Sequence, residues 1–561
     1  MSFVHTERET RLRVLAQDAS DLHLSGTACF IGEKLMVTTN SVDNIYEVAS
    51  IYYKQKQYER ALWILNKRQA INKSVKVRYL AALCSLALDH ANDVLAYVGE
   101  TNPFSEKAAR GDISLREVEG SIKLESAMCY LRGKAYIILK DVNRAIASFK
   151  EALTVDVKCY DALEALVTCS LMGDKEEWEF IMSLPFDDQC GPDAEYFRYL
   201  YSLKLTKSIH SERIMEPEAN DLTQSLDVQF NEAERHFSEG SFEICLGLCK
   251  KIQEQDPYYK DSIYVYLSCL FELDQKMQLY TFAQRSVNEF KNEATTWHAV
   301  GLYYLYIKKN TEAKRYFIQA INMKKFAKYS WLGYAHAFSA EKEHDQAIDA
   351  YKICLETMPG FYMPLMYIAM EHMELGNMGL AREYFLKALE KNNTDPYLYN
   401  EFAIYCCRNK LFVEAQCHLH NALRVARERE YKKTVLWDKI WSNLGHIYRQ
   451  EPLRNVDRAM QCFQNSLSYN YRNSDSLASI GMLQQMKGYT AKAVESYIKA
   501  LRYTDHTEVI QELLDISLTI NASIYTEDCP MLDTGRSLFS LESELKEKDI
   551  VEDELNWGIE N

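Results

Sequence analysis

Residues 294–327 read ATTWHAVGLYYLYIKKNTEAKRYFIQAINMKKFA. Trp297, Val300 and Tyr304 recur at helical spacing with Gly301 among them. After a short polar turn, Ala313, Phe317 and Ala320 continue at the same spacing. Such a pattern predicts two amphipathic helices joined by a tight turn. A shift of 34 residues finds the pattern again as Trp331, Tyr334, Ala335, Phe338, Ala347, Tyr351, Cys354 and Pro359. A second shift gives Leu365, Ile368, Ala369, His372, Ala381, Phe385 and Ala388, and a third gives Tyr399, Phe402, Ala403, Cys406, Ala415, Leu419 and Ala422. Backwards, Ala233, His236, Cys245, Cys249 and Pro257 fit the same frame, so the register runs without insertion from 226 to 429.

This is the signature of the tetratricopeptide repeat, a helix A, a turn and a helix B. Small residues at positions 8 and 20 let the two helices approach, and large ones at 4, 7, 11 and 24 fill the space beside them. A single unit cannot bury its own face, so stability comes from stacking. Looser units follow Ala49, Gly133, Gly445 and Gly481, the third arriving eight residues late after a longer helix through 421–430. Units near 76, 160, 192 and 260 are degenerate. The expected fold is therefore all-α, a right-handed superhelical solenoid of about 13–14 helix-turn-helix units. Its parts are degenerate N-terminal units over 1–98, an inter-repeat loop over 99–122 and partly degenerate units over 123–225. A C-terminal superhelix over 226–507, a capping helix over 508–524 and an acidic tail over 525–561 complete the chain.

Composition narrows the function. The chain carries a net charge of −15, of which residues 527–561 supply −8, so neither a nucleic-acid nor an anionic-membrane surface is expected. Fifteen cysteines without a C-x-x-C pair suit a reducing, intracellular compartment. The N-terminus has no apolar signal region, and no run of eighteen apolar residues occurs. No phosphate-cradling glycine motif and no H-E-x-x-H is present. Cys245 and Cys249 fall on packing positions, and His418 and His420 point to different sides of a helix, so no cofactor and no metal is expected. The repeats leave no block large enough for a catalytic domain, which argues against an enzyme such as a repeat-containing transferase.

Particular phrases go further than the repeat. The runs 99-GETNPF-104, 121-SIKLESAMCYLRGKAY-136, 145-AIASFKEALTVDVKCYDA-162, 297-WHAVGLYYL-305, 333-GYAHAFSAEKEHDQAIDAY-351 and 443-NLGHIYR-449 resemble subunit six of the anaphase-promoting complex, or cyclosome. The resemblance spans roughly residues 10–505. It implies a non-catalytic scaffold subunit of that E3 ubiquitin ligase, acting in mitosis in nucleus and cytoplasm. It also implies a homodimer through the N-terminal repeats, and a C-terminal superhelix enclosing the N-terminal segment of a very small partner subunit. Phe30, Ile45, Tyr52, Tyr53 and Trp63 are the aromatic and aliphatic residues expected to serve the dimer. A second reading is a chaperone adaptor gripping peptide termini, with Asn443 and Arg449 as part of its clamp.

Given such a partner, the inner face of helix A is the place to seek its groove. Met363, Met366, Met370 and Met373 occupy positions 2, 5, 9 and 12 of their unit, off the expected core positions. A soft methionine surface suits a buried apolar terminus such as an acetylated methionine. His336, Asn400, Asn443, His446 and Arg449 fall on adjoining inner positions and supply polar groups for a bound backbone.

Overall fold

The computed structural model describes residues 2–38, 41–67, 69–71, 73–102, 121–205, 225–238, 240–428, 435–450, 453–503 and 508–525. Most of the expected inter-repeat loop and all but the first residue of the expected acidic tail lie outside these residues. The regular elements among the described residues are helices, 29 of them α. By compactness they form two units, Met1–Asn220 with Glu356–Phe361, and Asp221–Leu355 with Tyr362–Asn561.

The second unit contains the regular array. Helix A and helix B alternate as Ala294–Tyr306 with Asn310–Met323, Lys328–Ser339 with His344–Thr357, Met363–Glu374 with Met378–Lys391, and Pro396–Arg408 with Phe412–Glu428. The late unit follows as Val435–Arg449 with Val456–Tyr469, after a helix B of 17 residues where its neighbours have 14. Glu508–Tyr525 caps the array, with Ile510 packed in one cluster with Tyr497 and Ala500.

The packing rule read from the sequence is visible atom by atom. Position 20 is closed to solvent at Ala313, Ala347, Ala381 and Ala415. Position 24 is fully buried as Phe149, Phe317, Tyr351, Phe385, Phe463 or Tyr497. Position 8 is small because it faces that ring: a Cβ on Gly301 would lie 2.8 Å from Phe317, and one on Gly445 2.8 Å from Phe463. Each such ring contributes roughly 2–3 kcal/mol through burial.

The turn has a regularity that composition hides. Gly240, Asp274, Lys308, Lys342, Gly376 and Lys410, spaced by 34, all adopt left-handed backbone, with φ between 56° and 76°. Each ends its helix A in a Schellman motif: Lys308 N–H donates to the Leu305 carbonyl and Lys309 N–H to that of Tyr304, both at 3.0 Å. Lys56, Lys140 and Gly488 repeat the device in the looser units. A non-glycine residue there costs about 1 kcal/mol, which the satisfied carbonyls and the stacked helices offset.

The first unit departs from regularity where the sequence does. Its helix pairs run Ser2–Asp21 with Ser25–Thr38, Val42–Lys54 with Tyr58–Lys67, Val75–Ala87 with Ala91–Val98, and Leu124–Ile138 with Val142–Val155. Tyr160–Thr168 and Asp174–Met182 shrink to nine residues each. Ile45 and Tyr52 are 2% and 0% exposed, so the expectation that they serve a dimer surface is corrected: they are core. Phe30 and Trp63 do stand at the surface, 64% and 59% exposed, and Tyr53 is half-buried.

Candidate functional site

The inner face of the second unit is marked by side chains that keep accessible surface while protein encloses them. His336 and His446 are half-buried, yet desolvation pushes their imidazoles down to about 4 and about 3, so both are neutral near pH 7. Burial lowers even the Arg449 guanidinium. The carboxyl of Glu272 is accessible by area, but burial raises it. Glu272 is in electrostatic reach of Tyr367, Tyr397 and Lys439, on the helices Met363–Glu374, Pro396–Arg408 and Val435–Arg449. Electrostatic reach across so many repeats is what a bore lined by the helices A would give.

The methionine stripe divides there. Met366 and Met373 are 0% and 2% exposed and belong to the apolar cluster between neighbouring helices, so the expectation that they line the groove is corrected. Helical geometry explains it. Met363 and Met370 lie four residues before and three after Tyr367, on its face, whereas Met366 and Met373 are rotated into the seam with the adjacent helices. Met363 and Met370 remain half-buried beside Tyr367. The Tyr367 ring meets His336 edge-on at 4.6 Å, and His336 Nδ1 pairs with the Tyr351 hydroxyl at 2.7 Å.

The polar residues of the next helices form a relay. Asn443 Nδ2 donates to Asn400 Oδ1 at 2.9 Å, and Asn400 Nδ2 donates to Glu401 Oε1 at 3.1 Å. Asn400 and Glu401 are 1% and 4% exposed. Burial pushes the Glu401 carboxyl up to about 7, against the hydrogen bond from Asn400 and the charges of Lys439 and Arg408. Arg449 Nη1 lies 3.6 Å from Met482 Sδ. Asn443 and Arg449 thus have separate partners.

Sequence reasoning missed Tyr367, Tyr397, Glu401, Glu272 and Lys439. A signal existed for two. Glu401 is the one carboxylate in 396-PYLYNEFAIYCCR-408, and Glu272 sits at the C-terminus of its helix, where the macrodipole disfavours an acid. Elsewhere the expectations of packing hold: Cys245 and Cys249 are fully buried with raised thiols. His418 and His420 do differ in exposure: His418 is half-buried against Phe402 at 4.3 Å, while His420 is exposed. No group of His, Cys, Asp and Glu suited to a metal ion occurs among the described residues. No described helix is long and apolar enough to cross a membrane.

Known proteins share this fold. The tetratricopeptide-repeat profile matches residues 126–158, 294–326 and 366–394, and the profile of anaphase-promoting complex, cyclosome, subunit 3 matches 21–101. The anaphase-promoting complex subunit cut9 of Schizosaccharomyces pombe is 33% identical over 520 residues, covering 92% of this chain and 77% of cut9. The chain belongs to this family of anaphase-promoting complex subunits. The human cell division cycle protein 16 homolog is 29% identical over 504 residues, 88% of this chain and 81% of its own length. A crystal structure of the anaphase-promoting complex hetero-tetramer Cut9-Hcn1 superposes with a TM-score of 0.73 at 33% identity, covering 92% of this chain and 98% of the other. The resemblance read from the sequence is the true kinship. This family member is a tetratricopeptide-repeat scaffold subunit of the anaphase-promoting complex, and its repeat fold is not catalytic.

Proposed function

We propose that the bore of the second unit holds the N-terminal segment of a small partner subunit, while the first repeats pair the chain with a second copy. The chain then serves as a scaffold of the ubiquitin ligase in mitosis, in nucleus and cytoplasm. One observation supports this reading: half-buried Tyr367, with Met363 and Met370 on its helix face, is in electrostatic reach of Glu401, which ends the Asn443–Asn400–Glu401 relay. An extended segment entering there buries apolar side chains and finds fixed polar groups for its backbone. His336, His446 and Arg449 lie on the inner positions of neighbouring helices and extend the same surface.

The related Cut9 has been crystallised with Hcn1 as a hetero-tetramer, a composition that fits two copies of each protein. Pairing is also supported by Leu22, Phe30, Val37 and Trp63, which are 69%, 64%, 77% and 59% exposed on the first two helix pairs. So much large apolar surface on a short stretch favours burial against a partner. Affinity purification of the tagged chain from dividing cells, followed by mass spectrometry, tests the assignment. Other anaphase-promoting complex subunits with one very small protein are expected; chaperones alone would contradict it. Light scattering at micromolar concentration tests the pairing, and a monomer would contradict that part.

A further inference from the structure

The helix B Phe412–Glu428 carries a polar surface of its own, apart from the inner positions of the helices A. His420, Arg424 and Arg427 follow at spacings of four and three, so they share one face, and all three are exposed. With Leu423, and with Trp441 of the next helix A, they line a cavity of about 300 Å³. Its charge is one-sided. Burial first, then the charges of Arg427 and Arg458, lower the His420 imidazole from its ordinary value. Arg458 comes from the helix Val456–Tyr469, with its guanidinium 5.9 Å from the Tyr448 ring, and the Tyr448 hydroxyl lies 3.3 Å from His420 Nε2. Neither Arg427 nor Arg458 forms an ion pair with a described carboxylate. Two acids of these helices are paired elsewhere, Glu414 with Arg382 at 3.5 Å and Asp457 with Lys487 at 2.5 Å. By sequence, 420–433 holds five Lys and Arg against Glu428 and Glu430, in a chain of net charge −15. Guanidiniums beside Trp441 and Leu423 suit carboxylates that are flanked by apolar side chains.

We propose that this cavity docks the acidic tail of the same chain, through the segment 549-DIVEDELNW-557. Asp549, Glu552, Asp553 and Glu554 bring four carboxylates within six residues, and Ile550, Leu555 and Trp557 bring apolar side chains among them. Cavity and tail belong to the same compact unit. The last helix ends at Tyr525, and the intervening chain to Asp549 can span about 75 Å when extended. A covalent tether raises the local concentration of this tail above that of any separate acidic chain, which favours it as the occupant. Charge complementarity does the rest, since the tail carries a net −8 over 527–561. Docking here is independent of what fills the bore. It shields Arg424 and Arg427, so that an acidic partner reaches them only by displacing the tail.

Carbodiimide cross-linking of the full chain, read by mass spectrometry, tests this. Arg427→Lys keeps the charge and supplies an amine that an adjacent carboxylate couples to as an amide. Arg315→Lys, at a side chain 77% exposed on a helix B three repeats earlier, is the control. The lysine introduced by Arg427→Lys should couple to Asp549, Glu552, Asp553 or Glu554 about tenfold more than the control does, and less as salt is added. Mixing normal with isotope-labelled chains distinguishes coupling within a molecule from coupling between molecules. Adding Arg424→Glu should cut the coupling about tenfold. Coupling no greater than the control, only between molecules, or only to acids outside 549–557 overturns the proposal. Coupling undiminished by Arg424→Glu overturns the role of the cavity. Should Arg424→Glu disturb the fold, Arg427→Lys against its control decides alone.

Discussion

Helices Met363–Glu374 and Pro396–Arg408 are the helices A of consecutive repeats, yet they fill the same repeat positions with opposite chemistry. At position 5 the first has Met366 and the second Asn400, 0% and 1% exposed; at position 6 the first has Tyr367 and the second Glu401. The difference teaches that position 5 belongs to the seam between neighbouring helices whatever residue occupies it. A methionine there is core, and an asparagine there survives only by relaying hydrogen bonds. Position 6 is half-buried at Tyr367 and closed at Glu401, 4% exposed, whereas positions 2 and 9 stay half-buried at Met363 and Met370.

The largest effect that tests this comparison is Met366→Glu. It places an unpaired charge in a closed seam and should cost about 3 kcal/mol or more, enough to lose much of the melting transition. Met370→Glu, one turn on, half-buried and packed only at the edge of the same cluster, should cost less, about 1–2 kcal/mol, and abolish partner binding. Equal melting points for the two variants would break the distinction between seam and bore.

Gly445→Ala comes next. Its Cβ would meet the Phe463 ring at 2.8 Å, and overpacking of that kind costs about 1–3 kcal/mol. A melting point unchanged by this variant would remove the reason given for small residues at position 8.

Glu401→Gln should differ in its pH dependence. The folded carboxyl titrates near 7, whereas the unfolded one sits near its ordinary value of 4.5. The folded state therefore binds the proton more tightly. Stability is lost as pH rises through that window and levels off above it, by about 3 kcal/mol in all. Denaturant titrations at pH 5 and 8 should show the variant gaining on the parent at pH 8 and matching it at pH 5. A constant difference would place Glu401 in water.

The smallest effect is Lys342→Gly, at the turn with φ 61°. Relief of left-handed strain, less the added freedom of the unfolded chain, should leave a gain of about 0.5 kcal/mol. A loss would show that the lysine side chain, not the backbone, matters at this turn.

The fold was legible because its determinants are periodic. Ala313, Ala347, Ala381 and Ala415 recur with the frame and are all buried. The left-handed turn was not, since Lys308, Lys342 and Lys410 carry no mark of φ, and only Gly240 and Gly376 hint at it. The site was half legible. Asn400 and Asn443 were singled out by position, and they are hydrogen-bonded to each other. Met366 and Met373 were misplaced because positions 5 and 12 look inner on a helical wheel but are closed by the adjacent helix. Glu272 comes into electrostatic reach of Tyr367 and Tyr397, on helices far along the chain, which no local pattern encodes.

The claim on which the account turns is that a partner's terminus runs through the bore and not along the outer surface. Photo-crosslinking from a benzophenone amino acid at Met370, compared with one at Ile353, 45% exposed on a helix B, tests it most directly. Mixed with Hcn1, the Met370 variant should capture its first residues and the Ile353 variant none. Capture from Ile353 with none from Met370 would contradict it.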